Sequence, residues 1–300
     1  MKTARKKQKV VALVGPTASG KSALAVRLAK KFDGEVISVD SRQVYRGLDI
    51  GSGKITKKEM AGVPHHLLDV ADPKRTFTAS QFTQKGRKTI NGVIKKGKMP
   101  ILTGGTGFYL AVLLGEISLP DVPPQKKLRT RLARASSAHL FKKLEKLDLE
   151  RARAIDRYNR VRLIRAIEIA TALGKVPNIK KRSPYNILKI GIDIKDAVLK
   201  EKINKRLAVR LRRGMLAEGK RLHHGGLSWK RMDALGLEYR YMAKYLMGEI
   251  SKEEMRREIA KKIWQYAKRQ RTWFKRDKEI RWFSHRETGK VEKEVRKFLS

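Results

Sequence analysis

Apolar residues run unbroken over 10–14, and strand-like stretches recur at 35–39, 99–103 and 186–193. Between them apolar positions return at helical spacing, as over 23–32 and 79–96. Continuous apolar strands alternating with amphipathic helices predict a parallel sheet covered by helices, an α/β fold. Three prolines, Pro120, Pro123 and Pro124, break the pattern, and the chain from there to about residue 175 reads as helical and very basic, with no strand. Residues 1–117 and 185–300 are therefore expected to form one discontinuous core domain, with 118–184 as a helical insertion. No internal repeat or low-complexity tract is apparent. Ser251, Lys252, Glu253 and Glu254 fit a capping box, followed at helical spacing by Met255, Ile259, Ile263 and Tyr266. These residues predict the start of the last helix, with its apolar face on the core.

Composition adds a partner class. The 300 residues hold 72 Lys and Arg against 29 Asp and Glu, a formal charge of +43, and 41% apolar residues are enough for a core. Such a field draws polyanions, nucleic acid first and an anionic membrane surface second. The other face of the 252-onward helix carries Arg256, Arg257, Lys261, Lys262, Lys268, Arg269 and Arg271, with Trp264, Trp273 and Trp282 in the same region. Interleaved cations and flat rings suit an unstacked base and its backbone, although Trp264 reads better as a core anchor. The absence of cysteine excludes disulfides and Cys-based zinc modules and fits a cytoplasmic address. The apolar run after the basic residues 1–9 is too short for a signal-peptide core, and no stretch is long enough to span a membrane.

The sharpest chemical signal is Gly15-Pro16-Thr17-Ala18-Ser19-Gly20-Lys21-Ser22, placed between a strand and a helix. In that setting the glycines let backbone N–H groups converge on an anion. Lys21 supplies a point charge, Ser22 can meet a bound Mg²⁺, and the helix dipole adds positive potential. The ligand carries a di- or triphosphate, which need not be a nucleotide. At the carboxyl end of the second strand, Asp40, Ser41, Arg42 and Gln43 gather a carboxylate, a hydroxyl, a guanidinium and an amide where open α/β sheets bind ligands. A carboxylate there can accept the proton of an exocyclic amine that becomes a nucleophile, while the plainer alternative is a turn aspartate. His65 and His66 lack the further ligands that a metal site needs and read as ordered loop, and the adjacent pair His223 and His224 is equally unsupported as ligands.

Residues 15–22, 40–45, 49–54, 64–69 and 104–109, then 159–168 and 267–274, closely resemble successive motifs of the tRNA dimethylallyltransferases, or tRNA isopentenyltransferases, in the order of that family. The likeness covers nearly the whole chain and is to the compact bacterial-type members, which lack a zinc-finger extension. It implies a P-loop NTPase-like fold and transfer of a dimethylallyl group from dimethylallyl diphosphate to N6 of adenosine 37 beside the tRNA anticodon, with release of pyrophosphate. By resemblance the loop at 15–22 cradles an isoprenoid diphosphate, with Thr17, Lys21 and Arg206 on its oxygens and Ser22 placing Mg²⁺. Asp40 takes the general-base position and Thr106 lies near the reacting centre. Ser41, Arg42 and Gln43 would grip the target adenosine. Arg129, the run Val161, Arg162, Leu163, Ile164 and Arg165, and the run Lys268, Arg269, Gln270, Arg271, Thr272, Trp273, Phe274 and Lys275 match segments that meet tRNA, as does 233–239. The base must leave its stack to react. A monomer supplies every one of these sites, with no obligate protein partner. Two stretches depart from the family pattern: Ser52-Gly53 replaces the more common Thr-Ala, and 236–240 is longer than usual.

Three rivals share some of these features. An adenylate isopentenyltransferase needs no tRNA grip, which the long basic helices argue against. A P-loop kinase leaves 104–109 and 268–274 unexplained, and a non-catalytic nucleic-acid binder has no use for Lys21, Asp40 and Thr106 together. Salt separates them: tRNA dependence predicts steep loss of affinity with ionic strength, AMP dependence a weak one.

Overall fold

The computed structural model describes residues 7–177 and 183–300; the basic residues 1–6 and positions 178–182 of the expected insertion lie outside the described residues. The chain runs β1 (Gln8–Val14), α1 (Lys21–Lys31), β2 (Gly34–Ser38), α2 (Lys57–Met60), β3 (His65–His66), α3 (Ala79–Lys95), β4 (Met99–Thr103) and α4 (Gly107–Leu113). Four helices follow, α5 (Lys126–Leu132), α6 (Ser137–Leu147), α7 (Leu149–Ala154) and α8 (Arg160–Leu173). The remainder is β5 (Tyr185–Asp193), α9 (Asp196–Arg212), α10 (Met215–His224), α11 (Trp229–Leu235), α12 (Leu237–Leu246), α13 (Lys252–Lys275), β6 (Arg281–Ser284) and α14 (Thr288–Leu299). Two compact units result, Met1–Leu114 with Ser183–Ser300, and Gly115–Arg182.

The larger unit is a six-stranded sheet, ordered β3-β2-β4-β1-β5-β6 and parallel at every pairing. Val11 of β1 faces Ile101 of β4 on one side and Leu188 of β5 on the other. The strand order reverses at β1, which opens a crevice at its carboxyl end. Apolar continuity in β1 follows from burial on both faces. Val10, Ala12 and Val14 pack into the core that holds Phe82, Leu113, Ile203, Tyr239 and Ile259, while Val11 and Leu13 join Leu24, Leu28, Val291 and Val295 on the opposite face.

Three expectations change. The helix beginning at Lys252 is not the last: β6 and α14 follow it, and the four-residue strand carries too little alternation to be read from sequence. Its Trp282 lies over Gly191 of β5, where a Cβ would meet the ring at 2.6 Å. The expected capping box is also half formed, since Ser251 Oγ accepts from the Glu254 N–H at 3.1 Å without a return bond. Complete boxes occur instead at Thr56 with Glu59 and at Thr78 with Gln81. His65 and His66 form the short strand β3 rather than a loop.

The smaller unit has its own core of Leu128, Leu132, Leu140, Leu144, Leu163 and Ile167. At its centre the fully buried Glu168 accepts from the Gln125 N–H at 2.8 Å, from Arg129 Nε and Nη2 at 2.7 Å each, and from Arg165 Nη1 at 3.2 Å. Burial pushes the Glu168 pKa up, but these bonds outweigh it and hold the carboxyl below its ordinary range.

Candidate active site

The carboxyl ends of β1, β2 and β4 meet the faces of α9 and α13 around a cavity of about 330 Å³. From Val14 the chain turns at once into the phosphate-type loop. Gly15 has φ 139°, and a Cβ there would come within 2.7 Å of the Ile192 carbonyl oxygen. Gly20, at φ 96°, precedes α1 without any side-chain cap, so the N–H groups of the first turn are left for a ligand. Thr17, Ala18, Gly20, Lys21 and Ser22 line the cavity, whereas Gly15, Pro16 and Ser19 build the loop behind it. Lys21 Nζ donates to the Pro16 carbonyl oxygen at 2.6 Å. Burial, reinforced by the Arg206 charge and opposed by Asp40, pulls its pKa down to about 7.

β2 delivers Asp40. Its Oδ1 accepts from the N–H groups of Arg42 at 2.8 Å and Gln43 at 3.3 Å, the turn role foreseen as the plainer alternative. Oδ2 takes no part in that turn, and the residue lines the cavity with Gln43. The turn and a cavity role are thus compatible. Thr106 Oγ1 accepts from the Ser41 N–H at 3.0 Å, which joins the turns after β2 and β4. Arg42 does not face the cavity: its Nε donates to the Leu235 carbonyl oxygen at 2.6 Å.

After β4 the backbone passes too close to its neighbours for side chains. A Cβ on Gly104 would lie 2.0 Å from the Val39 carbonyl oxygen, and one on Gly105 would lie 2.0 Å from Gln270 Nε2. Gln270 is the link between two strand ends: Oε1 accepts from the Thr17 N–H at 2.8 Å, and Nε2 donates to the Gly105 carbonyl oxygen at 2.8 Å. Tyr266, one helical turn earlier, donates to the same oxygen at 3.2 Å, and burial raises its pKa so that it stays a phenol.

Arg206 and Arg210, four residues apart on α9, present two guanidinium groups to the cavity. Burial, then the neighbouring Arg210, lowers the Arg206 pKa. Arg210 Nη1 donates to Glu238 Oε1 at 2.8 Å and to the Gly51 carbonyl oxygen at 2.8 Å. Glu218 fixes the adjoining loop, accepting from the N–H groups of Asp49, Ile50 and Gly51 at 3.0, 2.7 and 2.9 Å. Gly53 of this loop, at φ 62°, would bring a Cβ to 3.4 Å from Arg206 Nη2. Both departures from the usual motif pattern therefore border the cavity. Buried like charges crowded at Lys21 and Arg206 raise one another's cost, which an anionic ligand would relieve.

Sequence reasoning missed Arg210, Glu59, Glu238, Ile263, Tyr266 and His65 as lining residues. The i,i+4 spacing of Arg206 with Arg210, and of Tyr266 with Gln270, was the available signal. The expected RNA-facing residues divide sharply. Leu163 and Phe274 are core side chains, 0% and 3% exposed, and offer a polyanion no surface. Gln270 turns inward, as described. Arg129 and Arg165 are engaged by Glu168, and Arg271 is bound to Asp196 and to the Ile194 carbonyl oxygen. Ile164 packs on the smaller unit's core, and Trp273 crosses Gly107, where a Cβ would meet its ring at 2.3 Å. Val161, Arg162, Lys268, Arg269, Thr272 and Lys275 remain exposed.

A parallel sheet with a glycine-rich loop after its central strand, backed by lysine and arginine, defines a P-loop NTPase-like fold. Residues 43–277 match the family model described as IPP transferase. The chain belongs to this family, the tRNA isopentenyl- or dimethylallyltransferases. It is 39% identical over 288 residues to the tRNA dimethylallyltransferase of Halalkalibacterium halodurans, covering 92% of this chain and 91% of that one. The solved structure of the full-length tRNA isopentenylpyrophosphate transferase of Bacillus halodurans superposes with a TM-score of 0.76 at 36% identity, covering 98% of this chain and 97% of that one. A eukaryotic dimethylallyltransferase acting on tRNA shares the fold, with a TM-score of 0.79 at 23% identity over 97% of this chain and 77% of its own.

Proposed function

We propose that this protein transfers a dimethylallyl group from dimethylallyl diphosphate to N6 of adenosine 37 in tRNA, releasing pyrophosphate. The observation that carries the reading is the convergence of Lys21, Arg206 and Asp40 on one cavity, a cationic diphosphate cradle beside a carboxylate. Thr17, Lys21 and Arg206 hold the diphosphate, meeting the charge that grows on it as the C1–O bond breaks. Asp40 accepts the N6 proton as the new N–C1 bond forms, and its anchored turn fixes the direction from which it acts. The flipped adenine enters beside Gln43 and Thr106, which the Ser41 N–H holds in place. Exclusion of water once diphosphate and adenine fill the cavity protects the electrophilic C1.

Ser22 and Thr103 both line the cavity, Thr103 with a buried Oγ1 that has no hydrogen-bond partner, and hydroxyls of this kind suit a hard cation. Mg²⁺ held there with diphosphate oxygens would neutralise leaving-group charge. The exposed cations Arg162, Lys268, Arg269 and Lys275 bind tRNA through its phosphates, consistent with the formal charge of +43. The protein acts as a cytoplasmic monomer; among the described residues no helix is long and apolar enough to cross a membrane.

Labelled dimethylallyl diphosphate is offered with Mg²⁺ to unmodified tRNA, to AMP and to an ATP-hydrolysis control. Label at N6 of the tRNA adenosine alone supports the reading, label on AMP moves the protein to free-nucleotide chemistry, and ATP turnover without prenyl transfer refutes it. Asp40→Asn keeps an Oδ1 acceptor for the turn while removing the base. Turnover should fall about 10²- to 10⁴-fold with tRNA affinity nearly unchanged. Equal loss of both would remove Asp40 from the base role.

A further inference from the structure

In the smaller unit, Tyr158 stands 79% exposed immediately before α8. Single exposed aromatics are ordinary, but this ring is mounted. Its backbone N–H donates to Asp156 Oδ1 at 3.0 Å, and the Asn159 N–H donates to the Asp156 carbonyl oxygen at 3.1 Å. Asn159 Oδ1 in turn caps α8 by accepting from the Arg162 N–H at 3.2 Å. The turn that carries the ring is therefore tied down at each step. Beneath it, the Arg157 guanidinium lies 6.0 Å from the Tyr158 ring centroid and 4.8 Å from that of Phe141, which packs on the unit's core. Core, Phe141, Arg157 and Tyr158 form a ladder of alternating rings and charge whose outermost rung stands exposed among the described residues.

We infer that Tyr158 is a stacking platform for an unpaired nucleobase of the RNA substrate, an assignment that rests on the tRNA reading above. The charge around the ring selects this occupant. Basic residues outnumber acidic ones more than two to one across 115–182, and exposed Arg162 lies one helical turn away. Asp156, the acid beside the ring, is engaged in the turn. A protein partner would have to bring acids to this surface, whereas an RNA loop brings phosphates and flat bases together. Arg157, 6.0 Å from the ring centroid, adds cationic character to the stack.

The test uses the full-length chain and an unmodified tRNA transcript carrying 2-aminopurine at one anticodon-loop position at a time. In the wild type, one position should be quenched on binding. Tyr158→Ala should abolish that quenching, weaken tRNA binding roughly five- to hundredfold, and raise KM for tRNA with kcat at saturation unchanged. Tyr158→Phe should bind within about twofold of wild type, because the π face and not the hydroxyl does the stacking. The slope of log affinity against log salt should be unaltered in Tyr158→Ala but reduced by about 0.7–0.9 in Arg162→Ala, which loses a phosphate contact. Wild-type tRNA affinity in Tyr158→Ala, or weakened binding with the quenching retained, overturns the platform while leaving the tRNA reading intact. Failure of the wild type to bind or prenylate tRNA overturns both.

Discussion

Gln270 is the residue at which the geometry departs furthest from its expected role, and its replacement gives the sharpest test of the cavity. The side chain is 5% exposed and spans from the Thr17 N–H to the Gly105 carbonyl oxygen, with 2.8 Å at each end. Gln270→Ala removes both bonds, each worth about 1 kcal/mol net, so the strap contributes about 2 kcal/mol to holding the phosphate loop against the turn after β4. It also frees the Thr17 N–H for an anion, so KM for dimethylallyl diphosphate should change less than tenfold while the melting temperature falls. Gln270→Glu is nearly isosteric but opposite in consequence. One oxygen still accepts from Thr17, the other faces the Gly105 oxygen without a proton, and a negative charge enters the cavity proposed to hold a diphosphate. At roughly 5 Å in an effective dielectric near 20, that charge costs about 3 kcal/mol against each unit charge of the ligand, or about two orders of magnitude in affinity. Steady-state kinetics at saturating tRNA, with calorimetric binding of dimethylallyl diphosphate, would measure both variants. Equal diphosphate affinity in Gln270→Ala and Gln270→Glu would mean that the donor's charge lies nowhere near this side chain, and the cavity assignment would fall. An unchanged melting temperature in Gln270→Ala would remove the strap.

If Lys21 holds the diphosphate as proposed, binding should be pH-dependent. With its pKa drawn to about 7 in the empty cavity and raised by a bound polyanion, the lysine is already charged below that pH; above it, binding must take up a proton and affinity declines as pH rises. Calorimetry at pH 8 in two buffers of different ionisation enthalpy should report proton uptake in the wild type and almost none in Lys21→Met; no uptake in either would contradict a neutral resting lysine. In the smaller unit, Glu168→Gln leaves Arg129 and Arg165 facing an uncharged amide. It should cost about 2 kcal/mol, below the range for fully buried pairs because both guanidinium groups are partly exposed. Because the Glu168 pKa is depressed in the folded state, its contribution is present above the ordinary carboxyl range and lost as pH falls through the folded value. Denaturant melts at pH 7 and in acid should show a wild-type-to-variant gap that closes on acidification; a constant gap would refute the ionic account.

What was legible in the sequence was local. β1, the loop at 15–22 and α1 are contiguous, so apolar run, glycines and helix start report on one another; the turn at Asp40 and the one at Thr106 each follow directly from a strand. The fold class followed from the same alternation. Charge, by contrast, was legible only as a sum. Arg271 and Lys275 sit four residues apart on α13, yet one is bound to Asp196 and the other is exposed. The difference is made by β5 and the start of α9, nearly eighty residues earlier, which no pattern within the helix can encode. Arg206 shows the reverse case: it reads as one more solvated cation on α9 until β1 and its loop bring Lys21 beside it in the buried cavity. A motif resemblance supplies this residue because it carries the pairing implicitly, but it also transferred tRNA contact to Leu163 and Phe274, which the cores enclose. Along a helix successive residues point about 100° apart, so a segment that meets RNA with one face contains residues on another that cannot. The exposed cations on α13 and at the start of α8 are therefore those whose removal should reduce the salt dependence of tRNA binding, and the buried members of the same segments are those whose removal should lower stability while leaving that dependence intact.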